Sequence, residues 1–156
     1  MRKVALIYGP PCSGKTTQAR TLARPGDLII DWDLLAQEAG SPRDHDHEQR
    51  FAVAASRERM RLEDYVTHMT NGTAYIIRTL GDPDEREQAA ARIGATELIR
   101  CDPGGAECIR RAHDLGRRPT TDELIIRWYA QDWGSRALTH RRTGGAAQRT
   151  AHPGLA

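Results

Sequence analysis

The segment Gly9-Pro10-Pro11-Cys12-Ser13-Gly14-Lys15-Thr16 places two glycines with four residues between them, followed at once by a lysine and a threonine. That pattern, G-x-x-x-x-G-K-T, suits the grip of a polyphosphate. Glycines let the backbone bend around a phosphate and aim successive N–H groups at it. A following helix adds the positive end of its dipole. Lys15 is placed to neutralise β and γ oxygens, and the Thr16 hydroxyl to coordinate magnesium; Thr17 closes the binding stretch. Chance would supply such a pattern in about two of every thousand chains of this length and composition, so the spacing carries meaning.

Further groups could act beside this loop. Asp31 and Asp33 end a short apolar run and can orient an attacking hydroxyl or organise magnesium, the reading preferred to Asp33 merely capping a following helix. Arg78 closes another apolar run, where it can hold an acceptor phosphate or pair with Asp31 or Asp33. Arg117 and Arg118, bracketed by Gly116 and Pro119, join Arg111 either as cations of a mobile lid or as a solvated basic helix end. Asp44-His45-Asp46-His47-Glu48 resembles a metal cluster, but it has no partner ligands at recognisable spacing and reads as a polar turn close to the acceptor site.

Positioning these groups takes alternating elements. Val4–Tyr8, Leu28–Ile30, Thr73–Thr79 and Thr96–Arg100 read as strands. Helices are expected from Lys15 to Arg24, after Asp33 to Glu38, from Gln49 to Met69, from Asp84 to Ile93, from Ala106 to Leu115, and from Thr120 to about Trp133. In the long third helix Phe51, Ala55, Leu62, Val66 and Met69 form one apolar stripe, and Met60, Met69 and Trp128 are assigned to the core. Strands alternating with helices predict an α/β, three-layer fold with a small parallel sheet of about four strands. The end of the second strand is expected to neighbour the loop after the first.

Composition bounds the rest. The 156 residues suit one domain, or one domain plus a tail. Among the 23 Lys and Arg residues only Lys3 and Lys15 are lysine. Residues 1–135 carry a net charge of −2, while 136–156 hold Arg136, Arg141, Arg142 and Arg149 and no acid. A folded domain over 1–135 and a basic, disordered tail over 136–156 are therefore expected, the tail being solvated or touching nucleic acid. No apolar run is long enough to span a bilayer and no signal peptide is visible. Three scattered cysteines suit reduced thiols in a cytoplasmic setting.

Guanine recognition by N-K-x-D is not legible, since the one asparagine, Asn71, precedes a glycine. The chain is short for an AAA-type motor and shows no transporter signature loop. It resembles the small P-loop kinase superfamily: nucleoside monophosphate kinases, polynucleotide 5′-kinases, and phage kinases acting on hydroxymethylated bases in DNA. The resemblance covers about residues 1–133 and rests on Gly9–Thr16, Asp31-Trp32-Asp33, and Arg110-Arg111 through Arg117-Arg118 as a lid near 108–119. It implies ATP and Mg2+, with Thr16 and Asp31 toward the metal, Asp33 or Asp31 toward the acceptor, and the lid arginines toward the transferred phosphate. The expected acceptor is a hydroxyl or phosphate on a nucleic acid, as in DNA modification. A free nucleoside or nucleotide, or a regulatory nucleotide-binding module without an acceptor, are the alternatives. Oligomeric state is not legible.

Overall fold

The computed structural model describes the backbone of residues 1–143 and the side chains through Trp133. In chain order its elements are β1 (Arg2–Tyr8), α1 (Lys15–Leu22), β2 (Leu28–Ile30), α2 (Trp32–Glu38), α3 (Gln49–His68), β3 (Gly72–Arg78), α4 (Pro83–Ile93), β4 (Glu97–Arg100), α5 (Gly105–Asp114) and α6 (Thr120–Thr143). The strands form one parallel sheet in the order β2-β3-β1-β4.

Alternation along the strands divides the core. Val4, Leu6, Ala74 and Ile76 face Leu35, Ala36, Ala55, Val66, Ala89 and Ile93, brought by α2, α3 and α4. Ala5, Ile7, Tyr75 and Ile77 face Ala19 of α1 on the other side. This is the three-layer α/β arrangement expected for the P-loop class. A smaller cluster, Cys108, Ala112 and Ile125, joins α5 to α6 and receives Cys12 from the loop after β1. Buried Asp132 fastens α6 to the body by accepting from Arg86 of α4 and Arg100 of β4, each at 3.0 Å.

Four readings need correction. β3 lies between β1 and β2, so the end of β2 does not neighbour the loop after β1 through the sheet. Met60 is 68% exposed, because it sits five positions beyond Ala55, about 140° around α3 from the buried stripe. Helix α1 ends at Leu22, ahead of Arg24. Finally, α6 continues to Thr143, past the end expected near Trp133; residues 144–156, with Arg149, lie outside the described residues, as do the side chains of Arg136, Arg141 and Arg142. Among the described residues no helix is long and apolar enough to cross a membrane.

Candidate active site

β1 delivers Tyr8 to the sheet edge, where the chain must turn sharply into α1. Gly9 sits so close to its surroundings that a Cβ there would lie 2.1 Å from the Cys101 carbonyl oxygen and 2.7 Å from Ser13 Oγ. No side chain fits. Cys12 (φ 59°) and Gly14 (φ 90°) both adopt left-handed backbone, with Ser13 between them. Such alternation makes a concave nest of N–H groups. A non-glycine residue in this region is uncommon and tends to mark a functional turn. No side chain caps α1, so the free N–H groups of its first turn face the same hollow.

Lys15 lies across this nest, 9% exposed, donating to the carbonyls of Gly9 at 3.0 Å and Pro10 at 2.6 Å. Burial lowers its pKa to about 8, against attraction from Asp31. The Ser13 hydroxyl is buried without a hydrogen-bond partner. A buried, unpaired donor beside a lysine and a nest of amides fits a phosphate chain.

Thr16 donates to Oδ2 of Asp31 at 2.5 Å, and Asp31 Oδ1 accepts the backbone N–H of Asp33 at 3.1 Å. Asp31, not Asp33, is thus the cap of α2. Hydroxyl and carboxylate together offer the hard oxygen donors that suit Mg2+. The Thr16–Asp31 contact also shows how β2 reaches the loop despite the intervening strand: α1 spans the gap.

Asp33 keeps a half-exposed side chain whose Oδ1 meets Nε2 of His47 at 3.0 Å. Partial burial raises its pKa, as does nearby Asp31, while His47 and Arg117 oppose the rise. His47 itself is buried, with Nδ1 2.7 Å from Ser41 Oγ and its ring edge-on to Trp32. The segment read as a polar turn therefore sends one histidine inward.

Arg78 pairs with Glu63 of α3 at 2.9 Å, and neither Asp31 nor Asp33 is its partner. Glu63 is buried and also meets Arg92 at 3.1 Å and Arg59 at 3.8 Å. One carboxylate against three guanidiniums leaves a cationic surplus, and the Nε of Arg59 is buried without a hydrogen-bond partner. Burial, followed by repulsion from Arg78, lowers the pKa of Arg59.

On the lid side, Arg111 bonds Glu107 at 2.8 Å and approaches the Cys12 carbonyl at 3.5 Å, so it already overhangs the loop. Arg118 forms an ion pair with Asp46. That contact joins the α5–α6 connection to the α2–α3 connection and occupies an arginine expected to face the phosphate.

One depression collects these groups. Pro11 to Thr17, Asp31, Asp33, Arg78, Arg111, Arg117 and Arg118 all line it, while Gly9 and Pro10 are buried and do not reach its surface. Arg59 lines it too and was not foreseen.

The sequence family described as an AAA domain matches residues 4–125, which is most of the chain and contains the loop, both aspartates and the lid arginines. The chain belongs to that family. It is a P-loop domain of kinase-like architecture. Among solved structures it is similar to a chain of the Pnkp1/Rnl/Hen1 RNA repair complex, with a TM-score of 0.66 and 14% identity over 88% of this chain. This domain spans 46% of the length of that chain. It is also similar to a protein of Chloroflexus aurantiacus provisionally described as a kinase, with a TM-score of 0.54 and 19% identity, covering 80% of this chain and 77% of the other. No curated protein matches the sequence. At such identities the two structures establish the shared fold.

Proposed function

We propose that this domain transfers the γ-phosphate of ATP to a hydroxyl carried by a nucleic acid, such as a 5′ end or a hydroxymethylated base. The observation that carries the reading is the meeting, in one depression, of three unlike parts: a phosphate nest with a buried lysine, an accessible carboxylate, and a surplus of arginine. Nucleotide binding alone would use the first. An acceptor explains the other two.

Bound MgATP would supply the transferable phosphoryl group and neutralise part of its charge. The protein's residues do the remainder. The loop amides and Lys15 hold the polyphosphate, with Ser13 as an added donor. Thr16 and Asp31 would hold the metal. Asp33 takes the proton of the acceptor hydroxyl through its exposed oxygen. Arg111 and Arg117 face the charge that develops during transfer, with Arg118 free to join them when its pair with Asp46 opens.

Arg59 and Arg78 favour an anionic acceptor, since a phosphodiester beside the reacting hydroxyl would match their surplus charge. The shared fold with a chain of an RNA repair complex supports a nucleic-acid acceptor. Two phosphate contacts predict that affinity for a single-stranded 5′-hydroxyl oligonucleotide falls with salt at a log–log slope of about −1.4. Isotope transfer from ATP to that oligonucleotide, to hydroxymethylated DNA and to free nucleosides should favour the DNA substrates. A flat salt response with efficient labelling of nucleosides would move the assignment to a nucleoside kinase. Phosphate release to water alone would leave a nucleotide-binding module.

A further inference from the structure

The segment Ser41–Glu48 contributes a buried imidazole that the chemistry above does not use. His47 reaches Asp33 from fourteen residues away, with its side chain fully enclosed. An ionised carboxylate only accepts hydrogen bonds, so Nε2 carries the hydrogen in this contact. In the neutral ring Nδ1 is then an acceptor, and the Ser41 hydroxyl can donate to it at 2.7 Å while itself accepting from the Arg43 backbone at 3.4 Å. Each link fixes the next. The ring stands edge-on to Trp32, with centroids 5.4 Å apart, and Trp32 is tied to Ser56 of α3 at 3.0 Å. Just before the histidine, Asp46 adopts left-handed backbone (φ 58°) and accepts from Arg43, a turn that directs the next side chain inward.

A carboxylate on a short side chain rotates freely about its last torsion unless something holds it. Among the described residues, His47 provides the one hydrogen bond to the Asp33 carboxylate. Asp31 has no such freedom, because Thr16 and the α2 backbone take both of its oxygens. We propose that His47 is a positioning residue for phosphoryl transfer: its Nε2–H holds Oδ1 of Asp33 so that Oδ2 meets the acceptor hydroxyl. This rests on the reading of Asp33 as the proton acceptor.

Histidine as mere packing predicts something different. His47→Leu and His47→Gln both remove the aromatic ring and its contact with Trp32, so both should lose a similar amount of stability. Only glutamine retains an N–H donor at the matching position. The assay uses MgATP and whichever oligonucleotide or nucleoside the wild-type protein labels fastest. His47→Leu is expected to lower kcat about 10- to 100-fold, the loss that follows from misplacing a reacting group, with KM for MgATP nearly unchanged. His47→Gln should recover most of that kcat. Ser41→Ala, which leaves the ring in place and frees its Nδ1, should also lower kcat without altering KM for MgATP.

Equal kcat in the leucine and glutamine variants, whether both slow or both like wild type, would overturn the positioning role. Should the leucine variant not fold, an unchanged kcat in Ser41→Ala would do the same. Failure of the parent reading looks different: the wild-type protein itself would then label no hydroxyl in the panel, and the positioning role would fall with it.

Discussion

Lys15→Met is expected to abolish phosphoryl transfer and yet to give a more stable protein than the wild type at neutral pH. The side chain is 9% exposed and its pKa falls from 10.5 to about 8, chiefly through burial. A base whose folded pKa is lowered carries a cost wherever both states hold the proton, here below about pH 8. Between pH 8 and 10.5 the folded lysine releases its proton while the unfolded one keeps it, so wild-type stability rises with pH through that window. Methionine fills similar volume without charge. The two carbonyls that Lys15 now satisfies, Gly9 and Pro10, lose a donor and offset part of the gain. A net stabilisation of about 1–3 kcal/mol at pH 7, shrinking toward pH 10, is the expected balance. Urea unfolding at both pH values checks it. A variant that is less stable at pH 7, or that keeps its turnover, would contradict the role given to Lys15. Retaining a costly buried charge makes sense if a polyphosphate is there to meet it.

Asp33→Asn should lower kcat by about 100- to 10,000-fold while MgATP affinity stays within about threefold of wild type. The substitution keeps size and the approach to His47, and removes the ability to take a proton. Asp31→Asn makes the contrast. It replaces the oxygen that accepts from Thr16 with an amide NH2 while leaving an oxygen to cap α2, so it should raise the magnesium concentration needed for activity at little cost in stability. Calorimetric titration of MgATP alongside steady-state rates separates the two. A reversed pattern, with Asp33→Asn acting on binding and Asp31→Asn on rate alone, would exchange the assignments.

The phosphate loop was legible because its chemistry is local: spacing, a strand before and a helix after state the whole motif between Arg2 and Leu22. The parallel sheet was legible for a similar reason, since short apolar runs of β-branched residues alternate with helical stretches. Strand order was not. Nothing in Leu28–Ile30 says that it pairs with β3 and leaves β1 to β3 and β4. The partners of charged groups were equally hidden. Arg78 finds Glu63, fifteen residues upstream on the polar side of a helix, and Arg118 finds Asp46 across two connections. A helix face that carries Arg59 and Glu63 reads as solvated until the fold turns it toward the sheet edge. His47 stood in the segment read as a polar turn, and its one sequence signal was an excess of titratable residues. Burial, which periodicity cannot report in a loop, is what distinguishes it from His45.

Whether the backbone amides of residues 13–16 grip a polyphosphate is the claim on which the rest stands. Titrating MgATP into isotopically labelled protein and following the backbone N–H resonances tests it directly. Large downfield shifts at Ser13, Gly14, Lys15 and Thr16, saturating together and lost in Lys15→Met, are the predicted result, because each amide gains a charge-assisted bond to phosphate. Resonances in that stretch that stay still while MgATP binds elsewhere, or does not bind at all, would contradict the account.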